Sequence, residues 1–207
     1  MSKKYRILGL GIVAILTLSS CVDVKIASQI PKVTYFSLQK LQTQANQVSQ
    51  ANDAKCKANK GKIGLLQVNA NAPFNDTAII LHNAQTLQIS ELEHKKWVNS
   101  PNKMLESNLL QALEQNCFQV AISPFGTQKL NKILKLSLLG LQVVEDSGKY
   151  KAQMSVFYEV LNTSTTQSSK SGIITQEVAL QSLEDESFAK NFVKANELVI
   201  DKLLKQL

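Results

Sequence analysis

Cys21 is the residue whose surroundings point most directly to a chemical reaction. It ends the tetrapeptide Leu18-Ser19-Ser20-Cys21, which has the pattern of a bacterial lipobox: an aliphatic residue, two small residues and a cysteine. Small residues let a peptidase approach the backbone, and the thiol can form a thioether with diacylglycerol. The amine that cleavage frees can then be acylated. We therefore predict a covalent diacylglycerol and an N-acyl chain, such as palmitate, on Cys21.

The residues before Cys21 have the organisation of an export signal. Three basic residues, Lys3, Lys4 and Arg6, precede an apolar run over 7–18 that only glycine and threonine interrupt. Because about 20 apolar residues are needed to span a bilayer, this run is short for a transmembrane helix. An ordinary signal peptide followed by a chance cysteine is the alternative interpretation.

This pattern divides the chain into three parts. We predict a signal peptide over 1–20, a lipidated tether over 21–32 and a periplasmic domain over 33–207, since no second apolar run of spanning length follows. In lipoproteins of this type, aspartate at the position after the cysteine tends to retain the protein in the inner membrane. Val22 stands there and favours the outer membrane, whereas Asp23 one position later weakens that preference.

Two further cysteines, Cys56 and Cys117, would lie in the oxidising periplasm. A disulfide between them would close a loop of about 60 residues and contribute on the order of 4 kcal/mol. Two buried free thiols or a metal site are the alternatives. Only His82 and His94 could assist a metal, and neither has ligand spacing to a cysteine. We therefore predict the Cys56–Cys117 disulfide and no metal.

Motifs for catalysis and cofactor binding are missing from the sequence. It contains no G-x-G-x-x-G, P-loop, H-E-x-x-H, C-x-x-C or G-x-S-x-G pattern. Glu91, Glu93 and His94 come nearest to an acid–base group, but a general base needs a partner and a pocket. We therefore interpret these residues as solvent-exposed surface side chains and not as an acid–base group. We expect no enzyme activity and no cofactor beyond the lipid on Cys21.

The charge of the chain comes almost entirely from lysine. The 207 residues carry 23 basic and 16 acidic side chains, a net charge of +7, and Arg6 is the only arginine. Removal of the signal peptide leaves 20 lysines against 16 acidic residues, or +4. Arginine is the usual bidentate reader of phosphate and guanine, whereas lysine acts as a point charge. We therefore expect a lysine-rich soluble surface and no nucleic-acid partner.

Hydrophobic periodicity predicts two groups of strands, each followed by a helix. The clearest signal is the alternation over Tyr150–Val160, which follows a hairpin turn at 146–149. A polar Ser/Thr loop is expected at 162–171. The other strand candidates are Val33–Leu38, Lys62–Val68, Thr77–Leu81, Thr86–Leu92 (where Leu87 and Ile89 alternate with polar residues), Cys117–Ser123, Ile133–Glu145 and Gly172–Gln181.

Two amphipathic helices complete the predicted fold. The first begins at Ser100-Pro101, with serine as N-cap and proline at the first helical position, and stops near Asn116. The second ends the chain. Their apolar stripes are Leu105, Leu109, Ala112 and Leu113, and Phe188, Phe192, Ala195, Val199 and Leu203. The pattern predicts an α+β protein: a single two-layer domain whose mixed, mostly antiparallel sheet carries both helices on one face.

Several of these pieces together resemble a known family. After the lipobox come the aromatic strand Tyr35–Leu38, a turn at Pro73 with the aliphatic strand Thr77–Leu81, then Trp97 and a leucine-rich helix. In this order they are similar to the ABC-type transport auxiliary lipoproteins, the lipoprotein partners of MCE-type lipid transport systems. His82 stands where that family often has a basic residue. After its tryptophan the family usually has a small residue, an acidic residue and a proline, whereas here Val98-Asn99-Ser100-Pro101 follows Trp97.

The resemblance implies a non-catalytic accessory protein. It would be anchored to a membrane by its lipid, would dock an MCE-type substrate-binding protein of an ABC transporter complex, and would help phospholipid move between the membranes. A homo-oligomer is compatible with this role. Tyr35, Phe36 and Trp97 are the binding candidates, although Trp97 fits a core anchor for the following helix better.

A second hypothesis belongs to a different class. A structural or assembly lipoprotein that partners an outer-membrane β-barrel would share the anchor, the size and the α+β pattern. The partner that co-purifies with the protein distinguishes the two hypotheses.

Overall fold

The computed structural model describes residues 31–39, 56, 60–164, 167–183 and 187–207, and Lys32–Leu207 form one compact unit. The predicted signal peptide, Cys21 and all of the tether except Pro31 and Lys32 lie outside the described residues. The strands are β1 (Thr34–Phe36), β2 (Lys62–Leu65), β3 (Asn69–Ala70), β4 (Ala78–Asn83), β5 (Ile89–Trp97), β6 (Gln119–Ile122), β7 (Lys132–Asp146), β8 (Lys149–Asn162) and β9 (Ser168–Leu180). The helices are α1 (Pro101–Gln115) and α2 (Ser187–Leu204).

Three long strands form the antiparallel half of the sheet. β8 pairs with β7 on one side and with β9 on the other, along most of its length. Ser147 and Gly148 connect β7 to β8 with φ angles of 53° and 75°, as a two-residue hairpin turn requires. Alternate side chains of β8, from Ala152 to Val160, are buried. The period-two pattern predicted this arrangement.

The opposite edge of β7 holds parallel strands. Its first half pairs with β2, which pairs with β6. Its second half pairs with β4, which leads through β5 to β1, and β3 pairs with β7 between the two groups. The result is one open mixed sheet of nine strands among the described residues.

Both helices contribute to one hydrophobic core and contact each other. α1 begins at Pro101 and is capped at its C-terminus by Asn116, as predicted. The Ser100 side chain makes no capping hydrogen bond, so the proline and the buried leucine stripe specify this start. The buried side chains of α2 follow the predicted stripe from Phe188 to Leu203. The α+β prediction is confirmed.

The fourth predicted strand is displaced along the chain. It was expected at Thr86–Leu92, but β5 runs from Ile89 to Trp97, and Leu87 and Ile89 are 73% and 59% exposed. The β4–β5 register shifts between Ala78 and Ile80, and His94 within β5 has a φ of 58°. This bulge gives β5 more residues than its partner β4. A simple alternation of apolar and polar residues does not predict such extra residues.

The predicted Ser/Thr loop at 162–171 is shorter than expected. β9 already begins at Ser168, because the backbone of Ser168 pairs with Leu161 of β8. The polar side chains of this stretch do not prevent the backbone pairing. The predicted strand Lys62–Val68 is also shorter, since β2 ends at Leu65 and the chain re-enters the sheet as β3. In both places backbone pairing with the long central strands sets the boundary.

Candidate functional site

The described part of the chain contains no helix that is long and apolar enough to cross a membrane. Cys21, the predicted lipidation site, lies outside the described residues. The lipid on Cys21 therefore stays a prediction from the sequence.

The structure contains the predicted disulfide between Cys56 and Cys117. The Cα atoms are 5.5 Å apart, and 61 positions separate the residues in the chain. Cys117 follows the end of α1 with a φ of 67°, and its carbonyl accepts a hydrogen bond from the backbone amide of Lys60 at 3.1 Å. The bridge thus fastens the segment before β2 to the C-terminal end of α1.

The three aromatic binding candidates have different positions in the structure. Trp97 is fully buried and meets Phe192 edge to face, with ring centroids 5.1 Å apart. Its side chain belongs to the core, so the interpretation of Trp97 as a core anchor is confirmed and its alternative role as a contact residue is wrong. Phe36 is half-buried beside Phe188, also at 5.1 Å, whereas Tyr35 is 62% exposed. Tyr35 is the candidate that a partner can reach.

Glu91, Glu93 and His94 all lie on β5 with exposed side chains. None of them has a side-chain hydrogen bond or ion pair among the described residues. They line neither of the two cavities described below.

The face of the sheet away from the helices carries a row of hydrogen-bonded polar side chains. Gln142 donates to Gln153 at 2.9 Å, Gln153 donates to Glu177 at 2.8 Å, and the Lys151 ammonium donates to the same carboxylate at 2.9 Å. The hydrogen bond from Lys151, followed by that from Gln153, lowers the pKa of Glu177. The hydrogen bond to Glu177 is also the main cause that raises the pKa of Lys151.

These shifts predict a small acid sensitivity. A lowered folded-state pKa means that Glu177 contributes stability above the ordinary carboxyl pKa of 4.5 and loses it as the pH falls through the folded value. We expect Glu177→Gln to lower the Tm at pH 7 by about 1–2 °C, because solvent screens exposed pairs. This difference should shrink at pH 3. Thermal melts at both pH values measure it, with the exposed Glu114→Gln on α1 as the control. A constant difference at the two pH values would contradict the assignment.

A groove of about 350 Å³ lies between α1 and α2. Residues of both helices line it together with Leu38, whose carbonyl accepts a hydrogen bond from the Asn108 side chain at 3.2 Å. Both apolar and polar side chains contribute to the lining. Its lining residues are Leu38, Asn108, Gln111, Ala112, Gln115, Asn116, Val193, Asn196, Glu197, Ile200, Asp201 and Leu204.

Asn196 is the exceptional residue of this groove. It is 2% exposed and is the one buried polar side chain in the described part of the chain. Its Oδ1 accepts no hydrogen bond there, and an unsatisfied buried acceptor costs about 1–3 kcal/mol. The sequence held a signal for this residue, since Asn196 interrupts the apolar stripe of α2 four positions after Phe192 and four before Ile200.

A second cavity of about 310 Å³ continues from the groove. It shares Asn116, Asp201 and Leu204 with the first cavity and adds Phe118 and two lysines, Lys60 and Lys205. The Lys60 ammonium lies 5.4 Å from the centroid of the Phe118 ring. Carboxylates, amides, apolar side chains and lysines thus line two adjacent cavities.

Comparison with known proteins supports the fold. No protein-family model and no curated protein matches the sequence. Among solved structures, the chain is similar to protein XCC0632 from Xanthomonas campestris, of family DUF330, with a TM-score of 0.62 and 15% identity over 70% of this chain and 81% of that chain.

Two further solved structures share the fold. An uncharacterized protein has a TM-score of 0.63 and 12% identity, over 84% of this chain and 98% of its own. The hypothetical protein CT253 from Chlamydia trachomatis has a TM-score of 0.51 and 12% identity, over 72% and 95%. At such low identity the likeness establishes the fold alone.

Proposed function

We propose that this chain is a lipid-anchored periplasmic protein that acts, without catalysis, as an auxiliary component of an ABC/MCE-type phospholipid transport system. The lipid on Cys21 would hold it to a membrane, preferably the outer one. The observation that carries the proposal is the Leu18–Cys21 tetrapeptide in front of a domain that follows the element order of the transport auxiliary lipoproteins.

The position of the family-like segments supports the proposal. Phe36 of β1 pairs in register with Trp97 of β5, and β5 pairs with β4, the aliphatic strand that follows the Pro73 turn. Asn108 of the leucine-rich helix donates a hydrogen bond to the carbonyl of Leu38. Segments that are far apart in the sequence therefore form one connected region.

Anchoring explains how modest contacts could suffice for docking. A tethered protein meets a partner on the same membrane at a raised effective concentration, so a small contact surface gives substantial occupancy. Tyr35 is suited to this contact, because its ring is exposed on β1, an edge strand among the described elements. Aromatic side chains at the centre of a contact surface often contribute much of the binding energy.

Affinity capture of the full-length protein from detergent-solubilised membranes tests the proposal. We expect an MCE-type protein and transporter subunits to co-purify with the wild type. Tyr35→Ala should reduce their yield several-fold, because it removes the exposed aromatic contact. Leu87→Ala, which truncates another exposed apolar side chain, is the matched control and should leave the yield unchanged.

Two outcomes would contradict the proposal. Co-purification of an outer-membrane β-barrel in place of transport subunits would favour the assembly lipoprotein. Unchanged phospholipid distribution between the membranes after deletion of the protein, with no transport component captured, would remove the transport role.

A further inference from the structure

The connection between β4 and β5 exposes two large apolar side chains at one end of the sheet. Leu87 is 73% exposed, the highest value among the exposed large apolar side chains of the described residues, and Ile89 follows it at 59%. We call residues 84–90 the uncharged tip, because no charged residue occurs there although such residues make up 19% of the chain. Exposed apolar side chains that lie together often mark a contact with a protein or a membrane.

The backbone of Leu87 adopts a conformation that leucine rarely takes. Its φ is 59°, in the left-handed region that glycine and asparagine adopt with less strain. The turn geometry therefore does not favour leucine at this position. Strained backbone positions are concentrated at functional surfaces. We infer that the Leu87 side chain is present for what it contacts outside the domain.

Hydrogen bonds hold the uncharged tip in place. The Asn83 Oδ1 accepts hydrogen bonds from the backbone amides of Gln85 and Thr86, at 3.0 and 2.8 Å. The Asn83 side-chain amide donates to the Glu145 carboxylate of β7. The Gln85 side chain donates to the Ser147 hydroxyl in the adjacent β7–β8 turn at 2.9 Å. Because these bonds join the tip to the long central strands, its two apolar side chains have a rigid support.

The direction of β1 relates the uncharged tip to the predicted lipid anchor. β1 and β5 are parallel, with Thr34 opposite Lys95, so the chain enters β1 from the end of the sheet where β5 begins. The tip lies at that end, and Ile89 is about 20 Å from the level of Thr34 along the strands. The chain between Cys21 and Thr34 can span at most about 45 Å. A lipid on Cys21 can therefore lie in the same membrane surface as the tip.

We propose that the uncharged tip inserts Leu87 and Ile89 into the boundary between headgroups and acyl chains of the membrane that holds the lipid anchor. Two apolar side chains alone bind a bilayer weakly, so the insertion orients the anchored domain and does not hold it. The adjacent turn adds Glu145, Asp146 and Lys149 and has no net positive charge, so anionic lipid is not required. The inference rests on the lipid anchor of the proposed function and not on its transport partners.

Reconstitution of the full-length lipidated protein into phosphatidylcholine vesicles with brominated acyl chains tests the insertion. Ile89→Trp places a fluorophore at the tip. Val98→Trp is the matched control, because Val98 is 60% exposed and follows the opposite end of β5. The wild type gives the emission of the buried Trp97 for subtraction. We expect bromine to quench the Ile89→Trp emission at least twofold and to leave Val98→Trp unchanged, because an interfacial segment reaches the acyl chains.

Leu87→Asn separates membrane contact from folding. Asparagine has a similar size and accepts the left-handed conformation, so the Tm should stay equal or rise. In combination with Ile89→Trp it should reduce the quenching at least twofold, because the inserted apolar surface is smaller. Leu139→Asn, at an exposed position of β7 away from the tip, is the control and should leave the quenching unchanged. A lower Tm with unchanged quenching would show that Leu87 serves the fold, and would overturn its role in membrane contact.

Three other results overturn the insertion. Equal quenching of Ile89→Trp and Val98→Trp would show that no particular end of the sheet contacts the bilayer. Quenching that appears only after addition of phosphatidylglycerol would show attraction by charge. An Ile89→Trp emission that shifts to the blue only when protein subunits are captured in detergent would assign the tip to a protein contact.

Vesicle flotation distinguishes this inference from the proposed function. A wild type that floats while its Ile89→Trp variant stays unquenched overturns the insertion and leaves the anchor intact, whereas a wild type that does not float contradicts both. A quenched tip without capture of transport subunits supports the insertion and contradicts the transport role. Capture in detergent takes place without a bilayer, so truncation of Leu87 does not affect that experiment.

Discussion

Replacement of Cys21 by serine, behind an ordinary cleavable signal peptide, is expected to move the protein almost completely from the membrane fraction to the soluble periplasmic fraction. Serine cannot form the thioether, so the variant would lack the diacylglycerol and the N-acyl chain. One acyl chain holds a protein only weakly and reversibly, but each buried CH₂ contributes about 0.8 kcal/mol, so three chains make the anchor effectively permanent. Loss of all three removes the main membrane attachment that the sequence predicts.

The experiment needs a cleavable signal, because an uncleaved apolar segment could itself hold the variant in the inner membrane. Residues 1–20 are therefore exchanged for an ordinary signal peptide in the Cys21→Ser variant. Cys56→Ser with the original signal is the control and should remain membrane-bound. Fractionation followed by mass spectrometry of the N-terminal peptide gives the result. Retention of the exchanged variant in membranes, or an unlipidated N-terminal peptide in the wild type, would refute the anchor.

The parts of the fold that were predictable have strong local patterns. The alternation of β8 and the Ser147-Gly148 turn specify the central hairpin, because side-chain period and turn geometry are properties of neighbouring residues. The start of α1 at Pro101 is encoded in the same local way. The parallel pairing of β2 and β4 with opposite halves of β7 was not predictable, since it depends on contacts between residues far apart in the chain.

The candidate site was less predictable than the fold. The groove combines Leu38 from the first strand region with residues of α1 and α2, and no single segment reveals this arrangement. The sequence shows Asn196 as a polar residue within an apolar stripe. Its burial and its unsatisfied oxygen depend on how the helices pack, so they are known only from the structure. Trp97 shows the opposite case. As an aromatic residue in a family-like motif it was a binding candidate, and its burial against Phe192 makes it part of the core.

Loss of the Cys56–Cys117 disulfide is expected to lower the free energy of unfolding by about 4 kcal/mol and the Tm by about 10 °C. The bridge closes 61 positions, and in the chain-entropy model its main effect is to restrict the unfolded chain. It also fastens the segment before β2 to the end of α1, next to the Phe118 and Lys60 end of the second cavity.

Denaturant titrations and thermal melts of this double variant measure the effect, with reduced wild type as the matched comparison. Both should unfold at similar denaturant concentrations, well below the oxidised wild type, because both lack the same covalent constraint. The oxidised wild type should contain no titratable free thiol, since Cys21 carries the lipid and the other two cysteines are joined. Two free thiols in protein isolated without reductant, or a double variant as stable as the wild type, would show that the bridge does not form in the periplasm.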